Sequence, residues 1–286
     1  MSDPTLFEEW LEDLCRLFRQ GEEHTRTQQT TPVPSPVAMP VGVGEKPLAL
    51  LCAPHPDDEA LAAPLPLRLA QSGAAVLAVA CTLGSDCAKK KTRQMEFAAS
   101  CAELGFSATA CDRIDAKGLA ALFEHYSPAL VMAPHAHDLH PTHEKVARLV
   151  TEAMQRHCHE SGKEILLAEW EYWYPMKNPN LLLGIHPTEA ARVIAALCRH
   201  QGEISRNPYH LRLPGRWLDT VRRGGELLVG MGEPAPAFLF GDTYRISLIA
   251  KGTNKAAGST HIISPDMSCS IASLRALFFP KQPTLG

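Results

Sequence analysis

Between residues 47 and 169 the chain alternates short apolar runs with helix-length segments, and this alternation is the strongest constraint on its fold. We predict strands over 47–53, 75–82, 107–111, 129–134 and 164–169, separated by helices over 58–72, 88–104, 116–125 and 142–160. Apolar runs without polar alternation indicate strands buried on both faces. Helix-length connections favour parallel strands. The sequence therefore predicts an α/β fold with a mostly parallel sheet and helices on both faces.

The pattern is different at the two ends of the chain. Beyond residue 180 the signal is mixed, with a helix predicted over 187–201 and a strand over 237–250. Residues 3–20 predict an amphipathic helix with an apolar stripe, formed by Leu6, Phe7, Trp10, Leu11, Leu14 and Phe18. Residues 21–45 are rich in Thr, Gln, Pro and Val and predict a tether or an extended strap. The helix could dock on its own domain or on another subunit, and the first is the simpler expectation.

Composition narrows the class of protein. Hydrophobic residues at 45% and charged residues at 21% are typical of a globular protein. A net charge of −3 without a basic stripe gives no support for nucleic-acid binding. Apolar runs are too short to span a membrane, and the acidic N-terminus does not resemble a signal peptide. Nine scattered cysteines without a CxxC pair predict reduced thiols in a cytoplasmic protein. Dinucleotide binding has little support, since no GxGxxG follows the first strand.

The segment His55-Pro56-Asp57-Asp58-Glu59 directly follows the first predicted strand. Four ionisable groups in five positions repel one another unless they are compensated, and a metal ion is the simplest compensator. Acids in a first helical turn also favour the helix dipole, so the segment alone is compatible with a capped helix start. A second motif, His140-Pro141-Thr142-His143, follows the strand predicted over 129–134 and makes a metal site the preferred interpretation.

Both motifs begin with His-Pro, and proline suits the first position of a helix. If the first and fourth strands are neighbours, both strand–helix junctions open at the same carboxyl edge of the sheet. Catalytic zinc takes three His or carboxylate ligands and keeps one position open. His55, Asp58 and His143 supply that set, and iron or manganese are alternatives for the same ligands. Asp57 then remains as a general base, and His140 faces the site as an oxyanion stabiliser or a proton donor to the leaving amine.

HPDDE after one apolar strand and HPxH after a later one resemble the PIG-L/LmbE-like family of zinc-dependent N-deacetylases. The resemblance covers roughly residues 47–250. It implies a Rossmann-like fold, with residues 46–286 as the deacetylase domain behind the helix of 1–20 and the tether of 21–45. It also implies an enzyme that removes acyl groups from amino sugars and related amides.

By this resemblance His55, Asp58 and His143 match the family's metal ligands. Asp57 matches the general base that deprotonates a metal-bound water, and His140 matches the histidine that assists at the transition state. The resemblance gives Zn²⁺ as the cofactor.

Arg93 also resembles a family feature, an arginine near the substrate, and Thr82-Leu83-Gly84 resembles another. The chain departs from the pattern at Ala63-Pro64-Leu65-Pro66, where many relatives carry glycines, and this predicts a reshaped pocket wall. Thr142 stands where relatives often have Asp.

The combined prediction is a metal-dependent hydrolase that removes an N-acyl group, expected to be N-acetyl, from an amino sugar or a related small molecule. Two alternatives remain open. One is hydrolysis of another amide or an ester, as in a thiol-conjugate amidase; the other is a non-catalytic module that binds amino sugars. The expected partner is a small N-acylated amine, without nucleic acid or a membrane span, and a homo-oligomer is left open.

Overall fold

The computed structural model describes residues 5–40 and 46–280. The helices are α1 (Thr5–Thr30), α2 (Asp58–Leu61), α3 (Pro64–Gln71), α4 (Lys90–Leu104), α5 (Ala116–Tyr126), α6 (Pro141–Ser161), α7 (Pro187–Leu197), α8 (Gln201–Arg206), α9 (Tyr209–Leu228) and α10 (Ile271–Phe278). The strands are β1 (Leu48–Ala53), β2 (Ala75–Ala80), β3 (Ser107–Ala110), β4 (Leu130–Pro134), β5 (Ile165–Trp170), β6 (Leu181–Ile185), β7 (Phe240–Ala250), β8 (Thr253–Ala256) and β9 (His261–Ile263).

One mixed sheet joins all these strands, in the order β3-β2-β1-β4-β5-β7-β6-β9, with β8 paired to β7. The first five strands in this order are parallel, and β7 runs antiparallel to β5, β6 and β8. β1 and β4 are neighbours, with Leu50 paired to Val131. The expectation that the first and fourth strands share an edge is met, and the predicted α/β class with a mostly parallel sheet is confirmed.

β1 shows why the sheet needs cover on both faces. Its six residues are all buried. Ala49 and Leu51 pack into a core with α3, α4, α7 and α9, whereas Leu50 and Cys52 pack into a second core with α5 and α6. Since successive strand side chains point to opposite faces, a strand that is apolar at every position stabilises two helical layers at once.

The N-terminal helix is longer than predicted. α1 continues ten residues past its expected end, into the stretch predicted as a tether, because residues 21–30 dock on the body of the protein. Thr25 Oγ1 lies 2.8 Å from His210 Nε2 on α9, and Gln28 Nε2 donates to Glu103 Oε1 on α4. The second half of α1 therefore docks on its own domain. The remainder of the predicted tether is described to residue 40, and 41–45 lie outside the described residues.

The first half of α1 leaves its apolar stripe exposed. Phe7, Trp10, Leu11, Leu14 and Leu17 are each at least half exposed. None of the helices in the described ranges combines the length and the apolarity that crossing a membrane requires.

The main differences from the predicted elements lie around α3 and in the C-terminal third. The helix predicted over 58–72 is two helices, with Pro64 at the first position of α3. The helix predicted over 187–201 ends at Leu197, and α8 and α9 follow it. α9 was not predicted because it contains Pro214 and three glycines, which weaken the helical pattern.

Candidate active site

Two strand–helix junctions form the centre of the site. β1 ends at Ala53 and leads through the HPDDE segment into α2, while β4 ends at Pro134 and leads through a short loop into α6. Pro141 is the first residue of α6, as expected from its restricted backbone angle. Because β1 and β4 are adjacent and parallel, both junctions lie at the same carboxyl edge of the sheet, where α/β folds bind ligands.

Three imidazoles and a carboxylate meet between these junctions. One ring nitrogen from each of His55, His140 and His143 lies within 4.8 Å of the others. Asp58 Oδ2 lies 3.3 Å from His55 Nδ1 and 3.2 Å from His143 Nε2. The fold therefore brings together all three predicted ligands, with His140 equally close. Four donors are within reach of one ion, so the choice of three among them remains a prediction.

Asp138 orients His143 from the side opposite to Asp58, and the sequence reasoning missed it. Its Oδ2 lies 2.7 Å from His143 Nδ1, and the carboxylate is fully buried. Its Oδ1 accepts three backbone N–H bonds, from residues 172–174. A carboxylate on the second nitrogen of a metal-binding histidine fixes its tautomer and its ring orientation. The sequence signal that could have identified Asp138 is an acidic residue two positions before His140.

The two carboxylates control the protonation of His143. Burial acts to lower the pKa of His143, but the charge of Asp58 and the hydrogen bond with Asp138 outweigh it and raise the pKa to about 10. Burial would raise the pKa of Asp138, but hydrogen bonds from His135 and His143 lower it to about 2. Burial likewise opposes the ionisation of Asp58, yet His143 holds the pKa of Asp58 well below its usual range. The two carboxylates therefore favour the protonated form of His143.

Asp57 has a strained backbone, and two side chains hold it in place. Its φ is +116°, a conformation that L-residues rarely adopt and that is characteristic of functional sites. Its N–H donates to Glu59 Oε2 at 2.8 Å, and Glu59 Oε1 lies 2.6 Å from His200 Nε2 in a fully buried pair. Tyr209 Oη donates to Asp57 Oδ2 at 3.0 Å. Glu59 thus fixes the peptide that presents Asp57.

The environment of Asp57 suits a base. Burial, followed by the negative charge of Asp58, raises the pKa of Asp57 well above its ordinary value. A carboxylate with a raised pKa takes a proton more readily at neutral pH. Tyr209 was missed because it begins α9, more than 150 residues from the motif, and no sequence pattern links the two.

His140 occupies the solvent side of the histidine cluster. Its ring stacks on Trp173, with 5.6 Å between centroids and 24° between planes. Burial, together with the positive charges of His143 and His55, lowers the pKa of His140. The neutral imidazole is therefore favoured here, and it has one N–H group available as a hydrogen-bond donor.

Arg93 lies at the rim of the site. Its guanidinium is 3.4 Å from Glu203 Oε1 on α8, and its Nε is buried without an acceptor in the described residues. Gly84 has a φ of +89°, and a Cβ placed there would lie 2.6 Å from Arg93 Nη1. The glycine therefore permits both the turn after β2 and the close approach of the arginine. A direct contact of Arg93 with substrate remains a prediction.

A pocket of about 260 Å³ opens over these groups. Besides the predicted residues it is lined by Leu61, Tyr172, Trp173, Glu203, Arg206, Asn207 and Tyr209. The segment Ala63-Pro64-Leu65-Pro66 does not line it; these side chains are buried in the core, so the expected reshaping of the pocket wall by this turn is not seen. The wall is instead built by α8 and the start of α9.

The donor set fits a metal ion. His143 Nε2 is buried, has no hydrogen-bond partner of good geometry within the described residues, and lies 3.2 Å from Asp58 Oδ2. Imidazole and carboxylate donors with an open pocket are the chemistry of catalytic zinc sites, and iron or manganese also accept them. His55, Asp58, His140 and His143 all line the pocket, and each offers an atom that could bind such an ion.

Solved structures with the same fold have different activities. The 4-carboxy-2-hydroxymuconate hydratase GalB of Pseudomonas putida KT2440 is 20% identical, with a TM-score of 0.55 over 70% of this chain and 95% of that one. A deacetylase triple mutant from the teicoplanin biosynthetic pathway is 18% identical, with a TM-score of 0.53 over 71% and 98%. The N,N'-diacetylchitobiose deacetylase of Pyrococcus horikoshii is 16% identical, with a TM-score of 0.53 over 71% and 84%. At these identities the likeness establishes the fold.

Sequence comparison gives the family. No curated protein matches the chain significantly. Residues 50–154 match the family model described as "PIG-L: GlcNAc-PI de-N-acetylase", and this segment contains both histidine motifs. The resemblance drawn from the motifs is therefore confirmed over residues 50–154, which are similar to the PIG-L family.

Proposed function

We propose that the protein is a metal-dependent hydrolase that removes an N-acyl group, expected to be N-acetyl, from an amino sugar or a related small amine. One observation carries the proposal: His55, Asp58 and His143 converge at 3.2–3.3 Å contacts beside a half-buried, strained Asp57. The match to a de-N-acetylase family model and the deacetylases among the structures of the same fold support the same reaction class.

In this proposal His55, Asp58 and His143 hold the ion, with Zn²⁺ as the expected metal. A bound ion of this kind polarises an acyl carbonyl and lowers the pKa of water. Asp138 holds the ring of His143 so that Nε2 points to the ion. Asp58 supplies a negative charge beside His143 Nε2.

Asp57 acts as the general base. Tyr209 fixes Oδ2, which leaves Oδ1 to take a proton from the attacking water. The raised pKa of Asp57 places its proton affinity closer to neutral pH, as general-base catalysis requires. The same carboxyl group then holds a proton that it can pass to the departing amine.

His140 completes the pocket on the side where the carbonyl oxygen would lie. As a neutral imidazole it can donate one N–H bond to a developing oxyanion. Trp173 fixes the plane of its ring and offers an apolar face to a sugar ring. Arg93 contacts polar groups of the substrate at the rim.

The test couples elemental analysis of bound metal to amine release from a panel of N-acetylated sugars. We expect one equivalent of metal and release of free amine. Asp57→Asn should keep the metal and lose nearly all turnover, whereas His143→Ala should lose both. Full activity of the metal-free protein would refute the proposal.

The same assay separates the alternatives. Acid and alcohol as products would identify an ester, and a free amine from a thiol conjugate alone would identify an amidase of that type. Bound metal without hydrolysis of any acyl amide would favour a binding module. We propose the cytoplasm as the location of the protein, on the basis of its nine scattered cysteines without a CxxC pair.

A further inference from the structure

The first half of α1, residues 5–20, is the part of the fold whose apolar face is left uncovered, and we call it the arm. Residues 7–17 are all exposed. The second half of the helix uses the same face to dock: a Cβ at Gly21 would lie 2.8 Å from Leu211 on α9, and Gly21 follows Leu14 by seven residues, or two turns. The apolar face of α1 therefore continues beyond the surface that covers it.

The exposed apolar residues of the arm have the spacing of a seam between two helices. Phe7, Trp10, Leu14, Leu17 and Gly21 are separated alternately by three and four residues. This alternation is typical of positions a and d of a coiled coil, where two helices pack side by side. About four turns of helix are marginal in water, because helices in proteins are stabilised mainly by packing of their apolar face. The spacing therefore favours another helix as the partner of the arm.

Charge is distributed unevenly along the arm. Its four acids lie within residues 8–13, and its two cations, Arg16 and Arg19, follow them. Among the described residues these six charges form one ion pair, between Arg16 and Asp13, and it is exposed on both sides, so it contributes little. Two parallel arms would place acids against acids. Two antiparallel arms place the acids of each beside the arginines of the other, and the same contact then occurs twice, as in a closed twofold dimer.

The area of the arm is sufficient for such a pairing. Five large apolar side chains of the arm are each at least half exposed: Phe7, Trp10, Leu11, Leu14 and Leu17. Two arms packed face to face would cover ten of them and bury on the order of 1,000 Å² in total, which is the lower range for a specific interface.

A lipid surface fits the arm less well. Helices that lie on membranes typically carry Lys and Arg on the polar face, which anionic lipids attract. Residues 5–23 carry six acids against two arginines. An anionic membrane surface would therefore repel the polar face of the arm.

We propose that the arm is a dimerisation element, through which two copies of this chain pair. The two arms lie antiparallel, with their apolar faces in contact and the acids of each beside Arg16 and Arg19 of the other. The described pocket of the candidate active site is lined by residues outside the arm, so this pairing is independent of the proposed function.

Sedimentation velocity of the full chain, over a hundredfold range of protein concentration, tests the pairing. We expect a reversible equilibrium between monomer and dimer. Trp10→Glu combined with Leu14→Glu should raise the dimer dissociation constant at least about a hundredfold, because charges replace two central apolar contacts on each arm. Met231→Glu combined with Leu239→Glu is the matched control, since both are exposed apolar residues outside α1, and it should leave the constant unchanged. Circular dichroism establishes that each variant is folded.

Charge exchange tests the antiparallel arrangement. Glu8→Lys combined with Glu9→Lys should weaken self-association about tenfold, and so should Arg16→Glu combined with Arg19→Glu, because attraction across the dimer becomes repulsion. An equimolar mixture of the two variants should restore the wild-type affinity. Parallel arms predict that each exchange alone has no effect, since like charges would still lie opposite like charges.

Several results would overturn the inference. These are a chain that stays monomeric throughout, a dimer that survives Trp10→Glu with Leu14→Glu, a dimer lost in the control variant, or self-association unchanged by both charge exchanges. Binding of the monomer to vesicles of phosphatidylcholine and phosphatidylserine, abolished by the same arm substitutions, would assign the arm to a lipid surface and would equally overturn the dimer.

Discussion

Asp138→Asn tests whether the carboxylate behind His143 sets the affinity for metal. The amide oxygen can keep the three backbone N–H bonds that Oδ1 accepts, at 3.1–3.2 Å. A flipped amide would forfeit all three, at roughly 1 kcal/mol each, so the nitrogen must face His143. His143 Nδ1 then meets a donor instead of an acceptor. Its proton moves to Nε2, which is the atom that should bind the ion.

The expected loss follows from that contact. The hydrogen bond from His143 to the charged Asp138 stabilises the tautomer that binds metal, and its loss should cost about 1.5–3 kcal/mol. This corresponds to an increase of roughly 10–150-fold in the dissociation constant for zinc. In other metal sites, mutation of the hydrogen-bond partners of the ligands typically lowers metal affinity by about 10–100-fold, which agrees with this range. The assay is zinc titration against a competing chelator at constant pH, with circular dichroism to establish folding. Asp219→Asn, an exposed carboxylate on α9, is the control. A folded Asp138→Asn protein with wild-type zinc affinity would refute the reasoning.

Three further predictions address the proton, the base and the rim of the site. Zinc binding should release a proton from His143, whose pKa is raised to about 10. The apparent dissociation constant for zinc should therefore fall about tenfold per pH unit between pH 6.0 and 7.5, and a constant that does not change with pH would contradict this. Tyr209→Phe should keep the metal content and lower kcat about tenfold. The acid limb of the kcat–pH profile should move to higher pH, because Asp57 loses a hydrogen-bond donor that favours its charged form. An unchanged profile would argue against a role of Tyr209 in holding Asp57. Gly84→Ala should raise KM, because the added Cβ displaces Arg93. The control is Gly73→Ala, which has a similar φ of +93° but open space around its Cβ, and it should lower the free energy of unfolding by about 1 kcal/mol without changing KM. Equal effects of the two substitutions on KM would show that Arg93 is not the cause.

The sequence predicts the sheet well because the sheet is buried on both faces. In β1 and β4 every residue is buried, so each strand is a continuous apolar run with recognisable ends. The two histidine motifs follow those ends directly, and the parallel arrangement then determines that they share an edge. The meeting of His55, Asp58, His140 and His143 at one edge of the sheet could therefore be anticipated from local patterns alone.

The parts that were missed depend on contacts between distant segments. α9 is helical despite Pro214 because one face packs closely on the sheet; a Cβ at Gly224 would lie 3.0 Å from Leu182. Tyr209, at the start of that helix, reaches Asp57 only once this packing exists. Asp138 has a local position next to the His-Pro pair, but its role depends on three N–H groups that follow β5. Neither propensity nor spacing encodes such contacts.

The contacts around His143 have a consequence for how the site forms. Internal hydrogen bonds and ion pairs already hold Asp58, Asp138 and the backbone of Asp57. The cradle is therefore completed during folding, unlike a zinc finger, whose structure depends on the ion. Chelation should silence the enzyme and leave it folded, and restoring the ion should exchange one charge for another in a site that hardly moves.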